Sequence, residues 1–258
     1  MATARHLRFL AVSALLFLGS AAITVAWTAS MASVGGMPMP GGWTMSMTWM
    51  TMPGQSWLGG AATFLGMWTV MMVAMMLPSL APMLLRYRLI IEAAGEDRLD
   101  RLTALAGAGY FFVWTLLGLA VYPLGTALAE AEMRAPALAR AVPVAVGLIV
   151  VAAGALQFTA WKAYHLACCR TGPNPGQRLR AGAAGAWRHG VRLGLHCSFS
   201  SAGLTALLFA AGLMDLRAMA AVTAAITVER LAPAGERIAR ATGAAVAAAG
   251  VCVTLWAV

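Results

Sequence analysis

Met-x-Met units recur in one short stretch of the chain, between residues 31 and 57. The units pair residue 37 with 39, 45 with 47, and 50 with 52. In an extended segment, side chains two residues apart point the same way, so each unit presents two sulfur atoms together. Thioethers are soft ligands that select Cu(I) over harder ions, and they stay unprotonated at low pH. The candidate ligands are Met37, Met39, Met45 and Met47. The alternative is a segment whose Met and Trp side chains simply enter the membrane interface.

A second methionine group lies in the apolar stretch 58–85. Met71 and Met75 are four residues apart, as are Met72 and Met76. At 3.6 residues per turn, each pair lies on one face of a helix. Neutral thioethers cost little to bury, so this helix can insert into a membrane without metal. The pattern therefore fits a copper relay, and it also fits ordinary packing by flexible methionines.

Histidine and cysteine form a third group. His165 and Cys169 are four residues apart and share a face if the fourth span continues as a helix, while His196 and Cys197 are adjacent. Imidazole and thiolate ligands suit Cu(I) and Zn(II). A disulfide is not expected, because the topology below places these thiols in the reducing cytoplasm. The alternative is that each side chain is buried without a function.

We interpret the other polar residues as structural. Glu229 and Arg230 lie at the end of a short apolar stretch, where snorkelling and capping explain them. His196 and Ser200 are four residues apart and mimic a serine–histidine pair, but no orienting carboxylate or oxyanion motif accompanies them. We therefore predict no catalytic residue and no enzymatic activity.

The elements that must hold these groups are membrane helices. Of 258 residues, 61% are hydrophobic and only 10% are charged, whereas a soluble domain carries about 25% charged residues. The net charge of +9 comes from scattered residues, without the basic stripe of a nucleic-acid-binding face. The composition predicts a single all-α transmembrane domain over residues 1–258, a polytopic helix bundle in contact with lipid.

A transmembrane helix needs about 20 apolar residues, and seven stretches are candidates, although the sixth is short. They lie near 8–30, 58–85, 102–128, 138–161, 191–213, 216–230 and 239–258. With the N-terminus in the cytoplasm, 15 of the 18 Lys and Arg residues fall on the cytoplasmic side, as the positive-inside rule requires. The Met- and Trp-rich segment 31–57 is then extracytoplasmic, and 162–190 is a basic cytoplasmic loop. Dense Ala and Gly in the fourth and seventh spans favour close helix packing.

Three blocks of residues resemble a bacterial family of predicted metal-binding integral membrane proteins, which includes membrane copper chaperones encoded beside tyrosinases. The blocks are Trp68-x2-Met71-x2-Ala74-Met75-Met76-x-Pro78-Ser79, then Gln157-x4-Lys162-x2-His165-x3-Cys169-Arg170, and Gly194-x-His196-Cys197 continuing through Gly212-x-Met214-Asp215 and Met219 to Glu229-Arg230. Two features depart from the family. His165 stands where a Cys is frequent, and Ser200 and Ser201 stand where a Cys pair is frequent.

The resemblance implies Cu(I) handling in the bacterial inner membrane and delivery to a cuproenzyme such as a tyrosinase or a copper oxidase or monooxygenase. The soft-ligand pattern independently indicates capture of Cu(I) outside and its passage to an inner station. The alternative function is a structural accessory subunit of a membrane oxidase or monooxygenase. In that case the methionines only pack.

Overall fold

The computed structural model of the chain describes residues 2–32, 35–50, 54–171 and 182–257. Eight α-helices lie within these residues: α1 (Ala2–Ala32), α2 (Trp57–Ala93), α3 (Leu99–Arg134), α4 (Pro136–Leu156), α5 (Ala160–Thr171), α6 (Ala183–Ala211), α7 (Leu216–Leu231) and α8 (Gly235–Ala257). The all-α bundle is confirmed. The number of seven helices is not, because α5 is an additional, separate helix.

Six of these helices are long and apolar enough to cross a membrane, as expected of a membrane protein. They are α1, α2, α3, α4, α6 and α8. The sixth expected span corresponds to α7, which has only 16 residues and is shorter than the hydrocarbon core requires. It packs against α2, α5, α6 and α8.

Residues 162–190 differ from the expected loop, because helices occupy both ends of this stretch. The hydroxyl of Thr159 accepts a hydrogen bond from the backbone N–H of Lys162 at 3.2 Å, as a residue preceding a helix does. The following helix, α5, buries Leu166 and Cys169 against the bundle. Residues 172–181 lie outside the described part. The basic residues of this stretch made it resemble a loop, although α5 is a short amphipathic helix.

The Met-rich segment is not a continuous helix, in agreement with its Pro and Gly content. Strand β1 (Met37–Met39) pairs antiparallel with β2 (Trp43–Met45), and a short 3₁₀ turn follows at Met47–Trp49. The indole N–H of Trp43 donates to the carbonyl of Ala139 at 2.9 Å, which fixes the hairpin on the start of α4. We call this side of the bundle the hairpin end and the other side the opposite end.

Close helix contacts occur where the sequence is rich in small residues. A Cβ atom on Gly154 of α4 would lie 2.5 Å from the backbone nitrogen of Ala247 on α8, and one on Gly250 would lie 2.6 Å from that of Val151. Such separations leave no space for a side chain. The expected role of Ala and Gly in the fourth and last spans is therefore confirmed.

Helix α2 lies at the centre of the bundle. It remains one α-helix through Pro78 and Pro82, and its contacts include α1, α3 and α7. Helix α1 runs antiparallel along α2, with His6 Nε2 lying 3.1 Å from the carboxylate of Glu92 at the opposite end. Because α2 is covered from several sides, its buried side chains form the interior of the bundle.

Candidate metal centre

The methionines of α2 point into the protein. We define the α2 methionine group as the five buried residues Met67, Met71, Met72, Met75 and Met76. Met72 and Met76 have no exposed surface at all. All five belong to one contiguous cluster of buried side chains, which also contains Cys169 and Cys197. The thioethers are thus in the same interior as the thiols rather than in contact with lipid.

Ser79 lies one helical turn beyond Met76 and continues the row of buried side chains formed by Met72 and Met76, which we call the stripe. It follows Met76 by three residues and Met72 by seven, so the three side chains lie on one face of α2. With a rise of about 1.5 Å per residue, Met72 and Ser79 are separated by about 10 Å along the axis. The Ser79 hydroxyl accepts a hydrogen bond from Arg230 Nη1 at 3.1 Å. The stripe therefore leads directly to a buried guanidinium group.

That guanidinium group faces the sulfur of Cys197. Arg230 Nη2 lies 2.8 Å from Cys197 Sγ, 3.2 Å from the Cys197 carbonyl and 3.3 Å from Ser200 Oγ. The hydroxyl of Tyr110, on α3, lies 2.6 Å from the same sulfur. Cys197 Sγ thus has two polar hydrogen-bonding neighbours, an environment that suits a sulfur atom carrying negative charge.

Arg230 has no carboxylate partner among the described residues. The adjacent Glu229 pairs instead with Lys162 Nζ at 2.6 Å and accepts from Gln157 Nε2 at 3.2 Å. Glu229, Arg230 and Lys162 are all buried. The expectation that snorkelling and capping explain Glu229 and Arg230 was therefore wrong. Glu229 and Lys162 form a complete buried ion pair, whereas the buried positive charge of Arg230 faces the thiol of Cys197.

Cys169 approaches this site from α5. Its Sγ lies 3.9 Å from Ser200 Oγ, which in turn donates to the Cys197 carbonyl. Burial raises the pKa of the Cys169 thiol to about 11, although the positive charge of Arg230 opposes the shift. Without a metal ion, this thiol is therefore protonated at neutral pH. We refer to Cys169, Cys197 and Arg230, with Tyr110 and Ser200, as the thiol site.

The two candidate histidines form a pair of their own. His165 Nδ1 and His196 Nδ1 are 3.0 Å apart, and the ring of Phe199 lies 5.0 Å from that of His165. Burial lowers the pKa of His165, which favours the neutral imidazole that binds metals. In the described ranges, no three His, Cys, Asp or Glu side chains are grouped closely enough to hold a metal ion together. The four expected ligands thus form an imidazole pair and a thiol site instead of one centre.

The hairpin places three expected methionines on one face. Met37 pairs with Met45 across the strands, and Met39 is two residues from Met37, so their side chains point to the same side. Met39 and Met45 are buried in a small cluster with residues of α3 and α4, whereas Met37 is exposed. The side chain of Met47 and the whole of Met52 lie outside the described part.

Aromatic rings separate the hairpin from the α2 methionine group. Trp49 packs against both clusters, and its ring centroid lies 5.5 Å from that of Phe64. Phe64 stacks on Trp68 at 5.9 Å. The two methionine groups are therefore distinct, and among the described side chains no continuous row of thioethers joins them through Trp49.

Sequence reasoning missed Tyr110 and misjudged Arg230. An ionisable residue within an apolar helix is a functional candidate by default, and this signal was available for Arg230. Tyr110 carried no such signal, since its role depends on α3 crossing α6 beside Cys197. Ser200 did not pair with His196 as a serine–histidine dyad. Its hydroxyl lies in the thiol site, and His196 contacts His165.

Six apolar helices around an interior rich in sulfur define a membrane protein whose buried donors suit a soft metal ion. The model of the PpoB2 family, described as a copper chaperone family, matches residues 65–253. The chain belongs to this family, and the resemblance seen in the sequence is confirmed. Membership establishes a general role in copper handling. The matched range begins after the hairpin. Searches of curated proteins and of solved structures give no match.

Proposed function

We propose that this protein is a copper chaperone of the bacterial inner membrane that binds Cu(I) on sulfur and delivers it to a cuproenzyme or across the membrane. The N-terminus is cytoplasmic in this proposal, so the hairpin end is extracytoplasmic and the opposite end faces the cytoplasm. The distribution of Lys and Arg supports this orientation. No catalytic step is required, since the chemistry is ligand exchange on the ion.

One observation carries the proposal: the buried stripe of Met72, Met76 and Ser79 ends at Arg230, which contacts Cys197 Sγ. Thioethers and thiolates are the donors that prefer Cu(I). Here they share one interior rather than being scattered over lipid-facing surfaces. A cation released by Met76 would meet the thiol site as its next donors on the way to the opposite end.

The charges of the thiol site match a Cu(I) complex. Two thiolates, from Cys169 and Cys197, and one monovalent copper ion together carry a net charge of minus one. The guanidinium of Arg230 brings the sum to zero. Burying a net charge is costly, whereas a compensated group of charges is tolerated. Arg230 thus explains how a bis-thiolate copper complex is accommodated inside the bundle.

The remaining groups complete the proposed route. Met37, Met39, Met45 and Met47 collect Cu(I) on the outside, the α2 methionine group holds it at mid-membrane, and the imidazole pair offers nitrogen ligands next to the thiol site. A membrane potential negative inside would favour inward movement of the cation by about 2.3 kcal/mol per 100 mV. The receiving partner is a copper enzyme of the tyrosinase, oxidase or monooxygenase type.

The test compares Cu(I) binding by wild-type protein and a Met72→Leu/Met76→Leu variant in lipid nanodiscs under reducing conditions. Leu replaces Met with little change in volume, which usually costs less than about 1.5 kcal/mol of stability per site. We expect the variant to fold and to bind fewer copper ions per chain. The matched control is Met133→Leu, at an exposed position, which should bind as wild type does. Wild-type protein that retains no copper would contradict the proposal and favour the accessory-subunit function.

A further inference from the structure

A cavity of about 350 Å³ opens at the hairpin end between α1, β2 and the turn that joins α6 to α7. Its volume is far larger than a single ion needs. Three methionines on three separate elements are among the residues that line it: Met31, Met45 and Met214. The acidic residue Asp215 lines it as well. This combination of three methionines and one acidic residue lies apart from the α2 methionine group and the thiol site.

The backbone of the α6–α7 turn presents two of these groups. Gly212 ends α6 with φ of 104°, a left-handed conformation that side chains other than glycine's rarely adopt. The N–H of Asp215 then donates to the Gly212 carbonyl at 3.0 Å, closing a turn that carries Met214 and Asp215 into the cavity wall. Thr28 Oγ1 lies 3.8 Å from Met214 Sδ and fixes this sulfur beside α1.

Within the described part of the chain, only one oxygen of the Asp215 carboxylate accepts hydrogen bonds that stabilise the fold. Its Oδ1 accepts from the backbone N–H groups of Arg217 and Ala218 at 2.8 and 2.9 Å, which caps α7. Among the described contacts, Oδ2 has no hydrogen-bond partner. The cap thus fixes the side chain while one carboxylate oxygen stays available to a cation in the cavity.

The residues that line the cavity include one from each side of Trp49. Met45 belongs to the small cluster under the hairpin, and Met214 packs against the main cluster. The main cluster contains Met219, five residues further along, and the α2 methionine group. A cation bound between Met45 and Met214 would therefore pass from one cluster to the other without crossing the aromatic contacts of Trp49.

We propose that this cavity is the entry site for Cu(I), with Met31, Met45, Met214 and Asp215 as its ligands. The inference rests on the proposed function and names the site through which the collected ion enters the bundle. Met37 and Met39 then deliver copper to the cavity, and Met219 receives it from Met214. The carboxylate attracts a cation and compensates its charge, and the thioethers select a soft one.

The experiment measures the number and affinity of bound Cu(I) ions in nanodiscs, by competition with a chromophoric Cu(I) chelator, for a Met45→Leu/Met214→Leu variant. We expect the loss of one bound equivalent per chain, with the thiol site still occupied. Asp215→Asn is a second variant, because Asn caps helices as well as Asp does. It should weaken the entry site roughly fivefold, the effect of a unit charge about 4 Å away in water. Met133→Leu serves as the matched control.

The outcomes separate this inference from the proposed function. Unchanged stoichiometry in Met45→Leu/Met214→Leu, with the Met72→Leu/Met76→Leu variant deficient, would overturn the entry site and leave the proposed function standing. Loss of an equivalent in the cavity variant alone would support the entry site and contradict the mid-membrane relay. Absence of bound copper in wild-type protein would overturn both.

Discussion

Replacing Arg230 by Met removes the buried charge that faces Cys197 while keeping much of the side-chain volume. At an effective dielectric constant of 20, two unit charges 4 Å apart attract by about 4 kcal/mol. The sulfur–nitrogen separation of 2.8 Å places Arg230 and a copper-bound thiolate in this range. Since a metal-bound thiolate retains only part of its charge, we expect a loss of about 2 to 4 kcal/mol, or roughly 30- to 700-fold in Kd for Cu(I).

The assay is anaerobic competition with a chromophoric Cu(I) chelator, on wild type and variant in the same nanodiscs. Thermal unfolding of the apoprotein shows whether Arg230→Met is folded, and Arg230→Lys, which keeps a positive charge, should recover part of the affinity. Arg101→Met, at an exposed position near the start of α3, controls for a general change in charge. A folded Arg230→Met protein with wild-type Cu(I) affinity would refute the charge-compensation argument.

Three further predictions concern other features of the bundle. Burial raises the pKa of Cys169 to about 11, so below that pH Cu(I) must displace the thiol proton when it binds. Displacement of this one proton should raise the Cu(I) affinity about tenfold per pH unit. Chelator competition between pH 6 and 8 should show this slope reduced by one proton in Cys169→Ser, and an unchanged slope would contradict it. Lys162→Met or Glu229→Gln alone should destabilise the protein by about 3–5 kcal/mol, because each leaves the charge of the other residue buried without a partner. Thermal unfolding of both singles and the double variant should then give a double-mutant cycle with strong coupling, and additive effects would argue against the pair. Gly154→Val should lower the melting temperature because α4 and α8 leave no room for a side chain there, and an unchanged melting temperature would show that the helices separate readily.

The sequence predicted the parts of the fold that hydropathy controls. Long apolar stretches gave the helices able to cross a membrane, and clustered Gly and Ala gave the close contact of α4 with α8. One short helix, α5, was not predicted as a separate element. Helix α5 depends on an amphipathic face that only the neighbouring α6 and α7 define, and its Lys162 resembled a loop charge until the fold paired it with Glu229.

The sequence identified candidate ligands but not how the fold groups them. Helical spacing correctly placed Met72 and Met76 on one face, because that relation is local. The division of His165 and Cys169 between two sites was not predictable, since it depends on how α5 is rotated against α6. Arg230 was assigned to a helix end from its position in the sequence, and only the packing of α7 against α2 and α6 buries it.

The most direct test of the central claim is X-ray absorption at the copper edge on Cu(I)-loaded wild-type protein in nanodiscs. The account predicts a shell dominated by sulfur, with sulfur neighbours lost in a Cys169→Ser/Cys197→Ser variant. A shell made of oxygen alone would contradict the account. A spectrum of the double variant identical to that of the wild type would contradict it as well.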